Sequence, residues 1–550
     1  MKDTNKRSYP VIDEPPRPDP EPISFVVVRF SDEYDHNILQ SPCVKAPRNQ
    51  LICVDNRWGH RFDTLGAAIN DGLARARHDL VAVVHEDVVL VRRWQARFDR
   101  VLRQLQAQDP DWGLAGSVGW DRDSRVLGHW SDPHHYKNTL AGRPFAEVAR
   151  LDEQILIFRK SSGLRFDDML PSIHNIGRDL AATLAQAGRR IYALDAPTIH
   201  KYADGDGARI ESADESSKIQ TRFLPANLAE WVCSNAYLHR KWPSWTLWPD
   251  PVEDSLDPAG DTRQLAGFAP PVILLARGGS GSRLMSRLMQ DLGYDLGRGL
   301  RRTERNGRPV FTPMELRPSG DADFMREAVY RGVLATYQRR AEWQRAQVVP
   351  RLRAHAARML QDVPPGTPWG FKLPETLMLL PQIDQAFPGA RYVHQIRDPL
   401  TTCLRRSHMT ARFDNAIGRT AIRAAYAHCD RDIAHSLTDG DALRMAYTTR
   451  HQIETARAYA AARLAGRYLE IGFEEILADP GATRARVADW LGATPVSALL
   501  DTEIDPGRAQ SGSDPYPEPI AGQVAAVLAD LRRSLGYPKR DPKSGNRFSE

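Results

Sequence analysis

The chain has 550 residues, of which 42% are hydrophobic and 26% are charged, and its formal net charge is +5. This length exceeds what one hydrophobic core serves, so it predicts two or three domains, and the ordinary composition excludes a disordered protein. The small charge excludes a basic coat for nucleic acid, and the five cysteines, which form no CxxC pair, favour neither a disulfide framework nor a zinc ribbon.

Residues 1–22 are polar and rich in proline, which predicts a disordered leader and not a signal peptide. No run of about eighteen apolar residues, the length that crosses a bilayer, occurs in the chain. We therefore expect a cytoplasmic protein with no transmembrane segment and no nucleic-acid partner. The sequence leaves room for a peripheral membrane contact.

Three apolar segments in the N-terminal half have the length and composition of buried strands: 23–30, 51–56 and 80–88. Between the second and the third, residues 62–78 carry apolar side chains at helical spacing. Strand, helix and strand in this order predict a parallel α/β sheet.

The third of these strands ends in His85, Glu86 and Asp87. Carboxylates at the carboxyl end of a strand lie where α/β sheets bind ligands, and burying them requires a compensating cation. Their oxygen atoms suit Mg²⁺ or Mn²⁺ that bridges a diphosphate. The sequence therefore predicts a divalent-metal site at this strand end.

Residues 23–243 resemble the family 2-like glycosyltransferases of the GT-A, Rossmann-like fold. The motifs that carry the resemblance are VDNRWG, AAINDGLARAR, VVHEDV, WGLAGSVG, LDEQILIFRKS and IGRDLAATLAQAGRRIYALD. One branch of that family has His-x-Asp in place of Asp-x-Asp at the position of VVHEDV.

The resemblance implies a nucleotide-sugar donor and a Mg²⁺ or Mn²⁺ ion. It implies that Asp55 contacts the nucleotide, and that Asp87 holds the metal with His200 and Glu86 as further ligands. It also implies that Asp179, at the start of a helix, is the general base of an inverting transfer.

Residues 244–267 contain prolines, acidic turns and tryptophans that fit no helical or strand period, which predicts a linker. A second α/β pattern begins at Pro271, and the chain ends in a polar stretch. We predict two α/β domains, at 23–243 and 268–540, with a frayed tail at 541–550.

A glycine-rich turn joins an apolar strand at 272–276 to an amphipathic helix. The residues of the turn are Arg277, Gly278, Gly279, Ser280, Gly281, Ser282 and Arg283. Glycines let the backbone wrap an anion, and the helix dipole adds to the attraction. The turn lacks the GxxxxGK[ST] spacing of a Walker A loop, so its positive charge must come from the flanking arginines.

A second buried strand, 391–396, ends in Arg397, which is well placed to bind a phosphate bidentately. Together with the turn, the segments VHQIRDPLTTCLRRS, WGFKLPET, FPGARYVHQIRDP and YLEIGFEEILADP resemble sulfotransferases that use 3′-phosphoadenosine 5′-phosphosulfate (PAPS). The resemblance covers roughly residues 268–540 and implies a P-loop-like fold with a parallel sheet.

The resemblance implies that the turn binds the 5′-phosphosulfate of PAPS, and that Arg397 and Ser407 bind the 3′-phosphate. Many members carry a lysine or arginine where this chain has Gly279. The role of that lysine or arginine then passes to Arg277, Arg283 or Lys372. Of these three, Lys372 is the catalytic candidate. For the catalytic base we select Glu304, with Glu315 as the alternative.

Three functions remain open from the sequence. The first is a bifunctional enzyme that transfers a sugar and a sulfuryl group to a glycan or glycoconjugate acceptor. The second is a sulfotransferase whose glycosyltransferase-like domain is inactive and binds the glycan. The third, a kinase-like phosphotransferase, is disfavoured because the Walker lysine and an Mg²⁺ aspartate are absent from that half.

Overall fold

The computed structural model describes residues 12–13, 15, 19–131, 136–171, 175–201, 225–243, 262–297, 299–305, 308–314, 322–405, 407–498, 500–501, 504 and 516–538. The chain divides into two compact units. The first comprises residues 1–224 and 230–250, and the second comprises residues 225–229 and 251–550. Most of the predicted linker and all of the predicted tail lie outside the described residues.

The first unit is an α/β structure. Its strands are β1 (Ile23–Arg29), β2 (Gln50–Asp55), β3 (Leu80–Val84), β4 (Val88–Leu90), β5 (Leu114–Gly116), β6 (Val118–Trp120), β7 (Val126–Ser131), β8 (Tyr136–Asn138), β9 (Phe145–Val148), β10 (Arg150–Leu151), β11 (Ile155–Arg159), β12 (Ile191–Leu194) and β13 (Thr198–His200). Its helices are α1 (Glu33–His36), α2 (Leu65–Arg75), α3 (Trp94–Gln108), α4 (Ile176–Gln186) and α5 (Pro225–Lys241), the last of which begins in the second unit.

The main sheet of the first unit has the order β2-β1-β3-β11-β5-β12-β9. Strands β1, β2 and β3 are parallel, as the strand–helix–strand pattern predicts. Strand β11 pairs antiparallel with β3. This antiparallel pairing differs from the predicted parallel sheet. Parallel pairing needs a crossover helix, whereas the chain between β5 and β11 forms strands.

The second unit is also α/β. Its strands are β14 (Val272–Ala276), β15 (Gly299–Arg305), β16 (Arg308–Met314), β17 (Gly370–Lys372), β18 (Arg391–Ile396) and β19 (Tyr468–Gly472). Its helices are α6 (Arg283–Asp291), α7 (Asp323–Tyr337), α8 (Glu342–Ala346), α9 (Val348–Met359), α10 (Leu380–Ala386), α11 (Pro399–Arg405), α12 (Ala416–His428), α13 (Asp441–Arg463), α14 (Phe473–Ala478), α15 (Pro480–Leu491) and α16 (Glu518–Ser534).

A four-stranded sheet of order β17-β14-β18-β19 lies at the centre of the second unit, and every pairing in it is parallel. All five residues of β14 are buried. Alternate residues of β14 pack into two different core clusters, one with α6 and the other with α7 and α9. Burial on both faces explains why this strand is apolar at every position.

Parallel pairing brings the carboxyl ends of β14, β17 and β18 to one edge of this sheet. The glycine-rich turn, Lys372 and Arg397 stand at those three ends. In the first unit the ends of β2 and β3 likewise share an edge, next to Asp55 and Asp87. No helix within the described ranges combines the length and the apolarity needed to span a bilayer.

Candidate functional site

The glycine-rich turn has the backbone of an anion cradle. Gly279 and Gly281 adopt φ angles of 88° and 84°, which only glycine adopts readily. A Cβ at Gly279 would meet open space, whereas one at Gly281 would overlap the ring of Phe473. Helix α6 starts directly after the turn, so its unpaired amides and its dipole add to the attraction for an anion.

Lys372 is the cation that reaches the turn. It ends β17, and its register opposite Leu274 of β14 brings it beside the loop. Its Nζ donates a 3.0 Å hydrogen bond to Ser282 Oγ, and the residue is 2% exposed. A buried ammonium at this place supplies the charge that Gly279 does not.

The two arginines of the turn have different surroundings. Arg283 is exposed on the first turn of α6. Arg277 is buried, and its Nε and Nη2 donate to Thr449 Oγ1 at 3.0 Å and Thr448 Oγ1 at 2.7 Å. Burial lowers the pKa of Arg277 to about 10. Its guanidinium is held by hydroxyls behind the turn, so it acts on a bound anion through its field.

Arg397, directly after β18, has a buried guanidinium. It is 5% exposed and lies over the ring of Phe473, with 4.4 Å from its Cζ to the ring centroid. Its Nε and Nη1 are buried and have no hydrogen-bond partner among the described residues. Burial lowers the pKa of this guanidinium, and Arg405 lowers it further.

Ser407 follows Arg397 on the far side of α11, and its Oγ is also buried without a partner within the described part of the chain. The same holds for Ser280 Oγ in the turn. Buried donors without partners are costly unless a ligand satisfies them. The donors of Arg397 and Ser407, together with the open cradle at Gly279, therefore fit a phosphorylated ligand.

His408 and Glu375 were not selected from the sequence, yet both border the turn. A Cβ at Gly278 would overlap the His408 ring. His408 Nδ1 lies 3.2 Å from Arg277 Nη1, and its Nε2 lies 4.0 Å from Glu375 Oε1. No motif in the sequence marks either residue, because only the packing of the His408 ring on Gly278 reveals the contact with the turn.

The predicted base Glu304 lies in the hairpin of β15 and β16, of which the structure describes the backbone pairing. Glu315, its alternative, lies outside the described residues. The role of Glu304 therefore stays a prediction.

In the first unit, ligand atoms of His85, Asp87 and His200 lie within 4.8 Å of one another. His85 Nε2 and Asp87 Oδ1 are buried and have no hydrogen-bond partner among the described residues. Two imidazoles and a carboxylate are common ligands of divalent transition metals. The donor set fits such an ion and includes two of the predicted ligands, Asp87 and His200, whose roles stay predictions.

Glu86 does not join this group. Its Oε2 accepts from the backbone amides of Phe30 and Ser31 at 2.7 and 2.9 Å, and its Oε1 accepts from Ser31 Oγ at 2.8 Å. Glu86 and Asp87 lie in the turn between β3 and β4, which the Val88 amide closes by donating to the His85 carbonyl, and the two carboxylates bind different partners. His85, and not Glu86, therefore lies with Asp87 and His200. Glu86 instead binds the loop that follows β1.

Lys201 is the cation now paired with Asp87. Its Nζ lies 2.8 Å from Asp87 Oδ2, and His200 Nε2 lies 3.2 Å from the same oxygen. Although burial acts to raise it, Lys201 and His200 hold the pKa of Asp87 well below its usual range. Asp87 is therefore an anion whose charge a metal would share with Lys201.

Asp55 and Asp179 each have a cationic partner. Asp55, at the end of β2, accepts from Arg57 Nη2 at 2.8 Å. Asp179 lies in the first turn of α4, accepts from Trp242 Nε1 at 2.8 Å and pairs with Lys241 Nζ at 2.7 Å. Burial raises the pKa of Asp179, against the effect of both partners.

Residues 271–496 match the family model described as "Sulfotransferase family". Three similar solved structures are sulfotransferase STF9 from Mycobacterium avium, STF1 from Mycobacterium tuberculosis H37Rv and the sulfotransferase domain from the curacin biosynthetic pathway. They share 12%, 14% and 12% identity with TM-scores of 0.31, 0.32 and 0.29.

These alignments cover 58%, 57% and 50% of this chain and 85%, 85% and 99% of the respective structures. No curated protein matches the chain. The glycine-rich turn, Lys372 and Arg397 all lie within the segment that matches this sulfotransferase family model.

Proposed function

We propose that the second unit transfers the sulfuryl group of PAPS to a hydroxyl of a glycan or glycoconjugate. The observation that carries the proposal is Arg397, a buried guanidinium with two unpaired nitrogen atoms at the edge where the turn and Lys372 also stand. The test is transfer of labelled sulfate from PAPS to glycan acceptors, with release of 3′-phosphoadenosine 5′-phosphate (PAP).

Bound PAPS would supply a sulfuryl group attached to a phosphate leaving group. The turn amides and Ser282 would hold the 5′-phosphosulfate, and Arg397 with Ser407 would hold the 3′-phosphate. Lys372 would neutralise the charge that grows on the leaving phosphate during in-line transfer. Because the Lys372 ammonium would face the leaving phosphate, no proton transfer to that phosphate would be needed.

Methionine in place of Lys372 tests this assignment. We expect kcat to fall by about 100-fold, because one preorganised donor to developing charge contributes this much. PAP binding should weaken less, since Arg397 and the turn remain. Steady-state kinetics and calorimetric titration with PAP check the two effects, and Arg283→Met is the matched control on the exposed side of the turn. Equal losses of kcat in both variants would contradict the assignment.

His408 is the second group that would act on the reacting atoms. Arg277 can only donate, so His408 Nδ1 accepts, and the neutral ring carries its proton on Nε2. That proton faces Glu375 and the side of the turn at Gly278. His408 would therefore donate a hydrogen bond to the sulfuryl oxygens, and Glu375 would stabilise the protonated Nε2.

Alanine in place of His408 should lower kcat by about 100-fold, the usual effect of removing one such donor, and leave the affinity for PAP nearly unchanged because PAP lacks the sulfuryl group. Rapid-quench kinetics and PAP titration measure both quantities. His428→Ala is the control, because that half-exposed imidazole pairs with Glu454 on α13. A loss of PAP affinity as large as the loss of rate would assign His408 a structural role.

For the first unit we propose metal-dependent transfer from a nucleotide-sugar, with His85, Asp87 and His200 holding Mn²⁺, which accepts imidazole ligands more readily than Mg²⁺ does, and Asp55 near the nucleotide. The mixed sheet and the metal-like group support this proposal. The engaged state of Asp179 favours the alternative, a glycan-binding unit without turnover, because a base at that position must first release Lys241. Screening nucleotide-sugars for Mn²⁺-dependent release of nucleotide distinguishes the two.

A further inference from the structure

The C-terminal helix α16 makes a buried ion pair beside the proposed phosphate site. Arg532 donates from Nε and Nη2 to the two carboxylate oxygens of Asp398, at 2.9 and 3.1 Å. Both side chains are 7% exposed. Asp398 directly follows Arg397, the proposed phosphate-binding arginine. The carboxylate nearest to Arg397 in sequence is therefore already bonded to Arg532.

A second contact engages the other acid near Arg397. Tyr537, just beyond α16, donates to Glu474 Oε2 at 2.8 Å. Glu474 Oε1 accepts from the backbone amide of Asp398 at 3.1 Å. Asp398 and Glu474 are the two carboxylates whose charges act on Arg397, and both have a partner from the C-terminal segment 532–537.

Without Arg532, the Asp398 carboxylate would be a buried anion with no cationic partner, next in the chain to a buried guanidinium, whereas Glu474 is exposed to solvent. A pair of this carboxylate with that guanidinium forms readily, because an unpaired charge in the interior costs several kcal/mol. An arginine already paired with a carboxylate has few hydrogen-bond donors and little uncompensated charge available for a phosphate. Arg532 binds Asp398, and Nε and Nη1 of Arg397 have no hydrogen-bond partner among the described residues.

We propose that Arg532, assisted by Tyr537, is a positioning residue that keeps Arg397 available for the 3′-phosphate of the nucleotide by binding Asp398. The inference rests on the proposed function, because it concerns the same site. It assigns a role to a segment that lies outside the residues matched by the family model, 271–496.

The experiment is calorimetric titration of the full chain with PAP. Arg532→Met should weaken PAP binding by about 10- to 100-fold, the effect of one carboxylate set against a cation. Adding Asp398→Asn should restore most of the affinity, because asparagine keeps the acceptor for the Leu400 amide but carries no charge. Arg533→Met, on the exposed side of the same helix, is the matched control and should bind as the unsubstituted chain does.

A purely structural role for Arg532 predicts no rescue by Asp398→Asn. The double variant also lacks the ion pair, so it would bind PAP no better than Arg532→Met does. Unchanged binding by Arg532→Met, or no rescue by Asp398→Asn, overturns the inference while the proposed function stands. Failure of the unsubstituted chain to bind PAP refutes the proposed function itself. If Arg532→Met melts below the assay temperature, Tyr537→Phe decides: weaker PAP binding supports the inference, and unchanged binding overturns it.

Discussion

Replacing Arg397 by methionine is expected to weaken PAP binding by about 1000-fold, because a buried phosphate then loses its bidentate cation. Methionine keeps an apolar stem on the Phe473 ring, so the change removes charge and donors with little loss of packing. No ion pair of Arg397 with another described residue is broken, because its Nε and Nη1 have no partner in that part of the chain. Calorimetric titration with PAP measures the loss.

Two comparisons make this result specific. Arg486→Met removes an exposed guanidinium on α15 and should leave PAP binding unchanged. Adenosine 5′-phosphosulfate, which lacks the 3′-phosphate, should bind both the Arg397→Met variant and the unsubstituted chain with similar, weak affinity. If the variant loses both ligands equally, Arg397 contacts another part of the nucleotide. If it loses neither, the assignment of this edge of the sheet is wrong.

The parts of this fold that follow from local sequence were predictable. The apolar strand β14, the glycine-rich turn and the amphipathic α6 lie in one continuous stretch, so their order alone indicates an anion cradle. Arg397 was predictable for the same reason, since it ends an apolar strand that pairs in parallel with β14. In the first unit, Asp87 was selected from its place after β3, and the structure puts it beside His85 and His200, while its role as a metal ligand stays a prediction.

Features that depend on side-chain direction or on distant segments were not predictable. Counting acids at the end of β3 selects Glu86, yet the turn after β3 places Glu86 against Ser31, and His85 joins Asp87 and His200 instead. The contact of His408 with Gly278 and the pair of Arg532 with Asp398 join segments far apart in sequence. Nothing in the spacing of these residues marks them.

Two of the buried guanidiniums of the second unit, those of Arg277 and Arg397, have no carboxylate as a hydrogen-bond partner among the described residues. Burying a cation in this way lowers stability, and proteins retain such groups mainly where a ligand supplies the opposite charge. Asp398 could have neutralised Arg397, but Arg532 binds it. The electrostatics of this edge therefore favour an anionic ligand more strongly than the net charge of the chain suggests.

Asparagine in place of Asp87 is expected to weaken Mn²⁺ binding to the first unit by about 1000-fold, because it removes the carboxylate from a group whose other two members are imidazoles. The measurement is Mn²⁺ titration of the full chain followed by electron paramagnetic resonance of the free ion. Lys201→Met should have the opposite effect and strengthen binding, because the ammonium that now pairs with Asp87 competes with the metal.

Glu86→Gln is the matched control for Asp87→Asn, since it makes the same carboxylate-to-amide change one residue away. It should leave Mn²⁺ affinity unchanged, because Glu86 binds the backbone of Phe30 and Ser31 and not the metal group. Loss of Mn²⁺ binding in Glu86→Gln but not in Asp87→Asn would reverse the assignment made from the structure. Equal, weak binding by all variants would mean that His85, Asp87 and His200 hold no metal, and the first unit would then be a glycan-binding unit in which Lys201 permanently neutralises Asp87.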